Sequence, residues 1–228
     1  MPTSHLVAAR SLRVSATFFL ALAIAGLCHA QAGKIEALPP NTDPAVPESI
    51  RKALDTKGSR INIDGPNPTV EIWYRKDVPA QAKDASTDAV YDRLVPSSMI
   101  GVLHFLNSST DYRGQSIAPG FYTLRYALMP NDGNHLGVAP SRDFLLLVPA
   151  KSDPGPDSAP KTPDLIALSR QASGTKHPAP LGLVPAESNS TPAITKDEEG
   201  HSIFTATVRL ASGEEIPLAL IVKGTAPQ

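Results

Sequence analysis

Proline constrains this chain more than any other residue: 23 of the 228 residues are Pro. Inside a helix each Pro removes a backbone donor and clashes with the preceding turn. A density roughly twice the ordinary ~5% therefore excludes a mostly helical bundle and leaves short strands, short helices and loops. The length allows one large domain or two small ones, with enough chain for a real core. Lys and Arg number 21 against 22 Asp and Glu. That balance excludes the dense basic footprint of a nucleic-acid-binding protein.

Residues 1–30 predict a cleavable secretory signal. Arg10 and Arg13 form a positive start, with no acidic residue before Glu36. The apolar run Thr17–Leu27 is too short, and too soon followed by polar residues, for a membrane span. Small residues stand at Cys28-His29-Ala30 or Ala30-Gln31-Ala32, where a signal peptidase cuts. Leu27 is too bulky for the lipid-modification box that Cys28 would need. Cleavage would remove Arg10, Arg13 and the single cysteine. The expected mature chain has no thiol, so it can build neither a disulfide nor a thiolate metal site. These features predict a periplasmic or secreted bacterial protein with no stable membrane span after cleavage, and no nucleic-acid partner. Its actual partner stays unknown. The sequons at Asn107 and Asn189 matter only in a eukaryotic host.

Beyond the signal, residues 31–47 are Pro-rich and aperiodic and read as a loose arm. Pro47–Gly58 reads as a short helix, with Ile50 and Leu54 on one face and Gly58 as its stop. Thr69–Arg75 alternates as a strand, with Val70, Ile72 and Tyr74 on one face and Glu71, Trp73 and Arg75 on the other. Residues 76–97 are a polar excursion pinned by Tyr91 and Leu94. Ser98–Leu106 is a continuous apolar run, the mark of a strand covered on both faces. Phe121–Met129 is the clearest strand: Tyr122, Leu124, Tyr126 and Leu128 face one way, Thr123 and Arg125 the other. Arg142–Pro149 reads as its antiparallel neighbour, and Pro119-Gly120 as a type II turn leading in. Lys151–Pro160 has linker composition. Thr162–Gly174 has the cap, early Pro and terminal Gly of a helix. Ser202–Leu210 and Glu215–Val222 form a hairpin, with Pro217 at an edge or a bulge. Six to eight strands and two short helices predict a mainly β protein, an antiparallel β-sandwich. Its expected core is 60–150, with 181–228 completing it.

The stretch Gly114-Gln115-Ser116-Ile117-Ala118-Pro119-Gly120-Phe121-Tyr122-Thr123-Leu124 resembles the Pro-x-Gly-x-Tyr-(Ser/Thr)-Leu strand start of prealbumin-like or carboxypeptidase-regulatory-like β-sandwich modules. It is also similar to a strand in a family of exported bacterial proteins of unknown function. There an Ala stands between the Pro and the Gly that are adjacent here. The resemblance covers about residues 60–150 and not 160–228. It implies a β-sandwich without assigned catalytic residues.

No nucleophile elbow, zinc-protease helix, phosphate-binding loop or dinucleotide fingerprint is present. His104 lies within the apolar run 98–106 and shares a face with Val102, so it reads first as a satisfied core or interface histidine. His177 and His201 read as solvated, as do the acidic turns Asp197–Glu199 and Glu214-Glu215. Trp73, Tyr74, Tyr122 and Tyr126 read as sheet packing before a sugar platform. The segment 130–143 gathers Asn131, Asp132, Asn134, His135 and Asp143 around Gly133 and Gly137. Ordinary turn chemistry accounts for those residues. The sharper reading is a loop binding a polar ligand or a metal ion through His135, Asp132 and His104. A metal ion is the one cofactor left open, although one His without Cys is thin for zinc or copper. The expectation is thus a non-enzymatic exported module with a binding or structural role. The alternative is a metal-binding periplasmic protein, or metal-dependent enzyme, using the Asp132/His135 loop.

Overall fold

Among the described residues the chain alternates strand and loop, interrupted by two α-helices and one 3-10 turn. Its elements are β1 (Lys34–Leu38), α1 (Glu48–Ala53), β2 (Gly58–Asn62), β3 (Val70–Tyr74), β4 (Met99–Phe105), β5 (Ser109–Thr110) and β6 (Ser116–Ile117). Then come β7 (Gly120–Leu128), β8 (Asp143–Pro149), a 3-10 turn (Ala150–Ser152), α2 (Thr162–Ser173), β9 (Pro180–Val184), β10 (Ala193–Lys196), β11 (Ser202–Arg209) and β12 (Glu215–Lys223). This computed structural model describes residues 33–63, 70–84, 87–130, 139–186 and 191–226, together with Met1. Residues 1–30 and 31–228 are separate units, and the fold described is that of the second. The expected signal segment, the Asn189 sequon and positions 131–138 lie outside the described residues. No described helix is long and apolar enough to cross a membrane.

Ten strands form one antiparallel sheet in the order β1-β2-β3-β4-β7-β8-β9-β12-β11-β10. The small β5–β6 pair stands apart. A sandwich would need two facing sheets. Here a single sheet curls until its outer strands β1 and β10 touch, so the fold is barrel-like. At that seam a Cβ added to Gly33 would lie 2.9 Å from Ile194 Cδ1 and 2.5 Å from the Asn62 carbonyl. The near-closure leaves little edge backbone to recruit another chain.

Side-chain alternation divides inside from outside. Val70, Ile72, Leu124, Tyr126, Leu145, Leu147, Phe204 and Leu220 fill the interior. β4 follows the pattern except at Met99–Gly101, where a register shift lets Ile100 and Leu103 both point inward while Val102 points out. The outside is covered as well. The α1 segment brings Val46, Ile50 and Leu54 over Trp73, Met99 and Val102. Trp73 is therefore buried, as its reading as sheet packing expects, and its indole donates to the Pro39 carbonyl at 2.9 Å. Farther round, α2 sets Leu165 on Leu146 and Val148. It starts at Thr162 rather than after it, and ends at Gly174 with φ +65°.

Two polar segments are tied to this frame. Residues 76–97 run along one end of the barrel: Val78 bridges to Leu210, and Tyr91 and Leu94 are buried. The Tyr91 hydroxyl donates to the Val184 carbonyl at 2.7 Å and accepts the Ala219 N–H at 2.9 Å. Residues 151–160, of linker composition, are clamped on the outer face by Arg125. Its Nε and Nη2 meet the two Asp153 carboxylate oxygens at 2.7 and 2.6 Å. Its remaining N–H groups reach the carbonyls of Ser97, Ser158 and Gly155, each at 2.7 Å. All five guanidinium donors are used and neither charge is exposed. The same network holds Ser97 at φ +67°, an uncommon conformation for a residue with a side chain.

The expected loose arm contains β1, and β2, β9 and β10 also lie in stretches that show no strand pattern in the sequence. Gly120 has the anticipated positive φ, at +149°, but it pairs with Phe105 as the first residue of β7 rather than closing a type II turn. Pro217 sits beyond the part of β12 that β9 covers, a local edge.

Candidate functional site

Of the loop residues singled out in the sequence, Asn131, Asp132, Asn134 and His135 lie outside the described residues, while Asp143 and His104 are placed. Asp143 is fully buried at the start of β8. Its carboxylate accepts the backbone N–H groups of Val90 and Tyr91, each at 2.9 Å, and the Tyr126 hydroxyl at 2.7 Å. Burial and that carboxylate push the Tyr126 phenol far above its ordinary range. Asp143 thus fastens Val90 and Tyr91 to the start of β8. His104 projects from the outer face of β4, stacked on Phe121 with ring centroids 3.9 Å apart. Its Nδ1 lies 3.0 Å from Glu71 Oε2, and Arg60 grips Oε1 of the same carboxylate at 2.7–2.8 Å. His104 pairs with Phe121 and Asp143 with Leu128. Seven residues of strand separate those positions, about 23 Å. The structure does not bring His104 and Asp143 together.

It builds a site elsewhere. A cleft of about 540 Å³ opens between α2 and the outer face of β7 and β8. Its floor is Ala127, Met129, Phe144 and Leu146, and Ile166 of α2 forms one wall. The ring of Tyr112 and the Thr225-Ala226 backbone form the opposite end. Around the mouth stand Arg113, Arg170, Lys176 and His177, all exposed, and among the described residues no acidic one lines the cleft. None of the Arg113, Arg170 or Lys176 side chains has a hydrogen bond or ion pair among the described residues. The arrangement follows from local chemistry. α2 buries Leu165 and Ala172 and leaves Ile166 and Arg170, four apart on its next face, over the sheet. The chain then turns at Gly174, and Ser169 Oγ accepts the Ala179 N–H at 2.9 Å. That bond holds Lys176 and His177 at the rim.

A second cluster lies at the β10–β11 turn, where Asp197, Glu199 and His201 converge. His201, read from sequence as solvated, is 3% exposed. Its Nε2 donates to the Thr225 carbonyl at 3.0 Å, and its Nδ1 lies 2.7 Å from Asp197 Oδ2 and 3.5 Å from Glu199 Oε2. Burial works against the charged ring, but the Thr225 carbonyl and the Asp197 carboxylate outweigh it and raise the His201 pKa. Gly224, at φ +142°, permits this: a Cβ there would lie 2.1 Å from the His201 ring. Beside the ring, 5.7 Å between centroids, is Tyr112, whose buried hydroxyl has no hydrogen-bond partner among the described residues. Burial pushes the Tyr112 phenol up, and Glu199 and Asp197 add to the shift. The two carboxylates also border a pocket of about 340 Å³ floored by Val184, Ile203 and Ala219.

No protein-family model, curated protein or solved structure matches the chain. Function therefore rests on this geometry. Sequence reasoning missed the cleft because its floor residues look like strand packing and its cations are scattered from 113 to 177. Only the spacing of Ile166 and Arg170 on α2 signalled a second helix face.

Proposed function

We propose that the protein is an exported, non-catalytic binding module whose α2–β7–β8 cleft holds an amphiphile with an apolar body and a single anionic head. The carrying observation is the pairing of an apolar floor with three cations at the mouth. Their side chains make no hydrogen bond or ion pair among the described residues, none of which adds an acid to the lining. An apolar cleft of this size suits a small organic ligand, and the few polar groups set its orientation. Here they are all positive. Arginine favours planar oxyanions such as carboxylate, in two-point contact. The secretory character of residues 1–30 supports an extracytoplasmic setting, and the barrel-like sheet supplies a rigid wall. The finer description, a module akin to exported β-sandwich proteins, draws support from the 114–124 strand start.

The test is equilibrium binding of three twelve-carbon probes: dodecanoate, dodecanol and dodecylammonium. Dodecanoate should bind with one site per chain, and dodecanol at least about tenfold more weakly, since a charge-assisted contact contributes ~1.5–3 kcal/mol. Dodecylammonium should not bind. Arg170→Gln should weaken dodecanoate and leave dodecanol unchanged. Equal affinity for all three probes, or an unaffected Arg170→Gln variant, would overturn the reading.

A further inference from the structure

We propose that Asp197, Glu199 and His201 form a divalent-cation site at the β10–β11 turn, beside the buried Tyr112 ring. Its three donor residues lie outside the amphiphile cleft, although Tyr112 and Thr225 border both. The donor atoms of the three residues lie within 4.8 Å of one another. Ligands bonded at 2.0–2.2 Å around a four-coordinate ion stand about 3.4 Å apart. The 3.5 Å between His201 Nδ1 and Glu199 Oε2 already meets that spacing. Asp197 Oδ2, at 2.7 Å from Nδ1, has to move outward, and the Glu199 side chain is free to follow because it is more than half exposed.

Two features outside the triad point to an ion. His201 donates its far nitrogen to the Thr225 carbonyl, the contact that orients a metal-ligating imidazole and leaves the other nitrogen to the metal. Tyr112 is 2% exposed, yet its hydroxyl has no hydrogen-bond partner among the described residues. A buried hydroxyl left alone costs about 1–3 kcal/mol. Its ring packs against His201, and the hydroxyl lies within the field of Glu199 and Asp197. A water carried on the ion would give that hydroxyl its missing partner. The two carboxylates open on the 340 Å³ pocket, whose lining among the described residues adds Glu198 and no cation.

One imidazole with two carboxylates favours a borderline transition ion such as Zn²⁺ over Mg²⁺ or Ca²⁺, which prefer all-oxygen sets. On binding, the ion replaces the proton between Nδ1 and Asp197, and that proton leaves to solvent.

The experiment is equilibrium dialysis of the chelator-stripped protein against Zn²⁺, with bound metal counted by mass spectrometry and folding checked by circular dichroism. One Zn²⁺ per chain is expected. Glu199→Gln, an exposed change that spares the fold, should weaken binding at least about tenfold through loss of a ligand. Tyr112→Phe, which removes only the hydroxyl, should weaken it about tenfold. His104→Gln, at a histidine outside the cluster, should change nothing. Absence of stoichiometric zinc, or binding that survives Glu199→Gln and is lost with His104→Gln, would overturn the site. Undiminished binding in Tyr112→Phe would overturn the hydroxyl's part in it.

Discussion

At the scale of single residues, buried polar side chains do more to define this molecule than its catalytic-looking ones. Asp143 carries three internal hydrogen bonds. Asp143→Ala would strand the Tyr126 hydroxyl and two backbone N–H groups, so we expect a loss of about 3 kcal/mol in chemical denaturation. Arg125→Met would leave Asp153 buried and uncompensated, at a cost of about 3–5 kcal/mol in the same measurement. Removing the arginine and its partner together should cost much less, because the penalty lies in the unpaired charge. Gly120 tests backbone rather than packing: its added Cβ would meet only Tyr122 at 3.9 Å. Gly120→Val should therefore cost about 1–3 kcal/mol from the positive φ alone. A neutral Gly120→Val would show that β7 can begin one residue later without loss.

At the scale of elements, the sequence was legible where one face is apolar over several residues. The alternation of Tyr122, Leu124, Tyr126 and Leu128 reports the inner face of β7, and Val70, Ile72 and Tyr74 that of β3. α2 stands where its early proline and its Gly174 stop place it, whereas α1 starts after Pro47 but ends at Ala53, and Gly58, expected as its stop, opens β2 instead. The rest was hidden for physical reasons. β1 is a five-residue edge strand, Lys34-Ile35-Glu36-Ala37-Leu38, half exposed along its length, so it has no apolar stripe to read. β9 begins at Pro180 and contains Gly182, residues that count against a strand, yet every position in it is buried by neighbours distant in sequence. His201 looked solvated beside three acidic residues, and only the close approach of Gly224 buries it. The cleft cations illustrate the same limit, since Arg113 and Arg170 meet through tertiary structure. Because α2 supplies one wall, Ile166→Asp should abolish dodecanoate binding through like-charge repulsion and lost apolar contact. Its partial exposure should keep the stability change within about 1 kcal/mol by thermal melting.

For the whole molecule, one sheet closing on itself explains how a cysteine-poor, proline-rich chain holds together. The interior is a single apolar cluster drawn from β2 through β12, and three outer clusters cover parts of the opposite face. Such a protein owes nothing to disulfides. If residues 1–30 are removed on export, intact-mass measurement should find a chain beginning near Gln31 or Gly33. Reductant should then leave its melting temperature unchanged. A retained leader, or lipid on Cys28, would contradict the export proposal without touching the cleft. The central claim is the cleft, and titration of the isotope-labelled protein with dodecanoate, followed by backbone and methyl NMR, tests it most directly. Saturable shifts gathered on Ala127, Met129, Phe144, Ile166 and Arg170 are predicted. Shifts scattered over the barrel, or gathered at the β10–β11 turn with these residues silent, would contradict it.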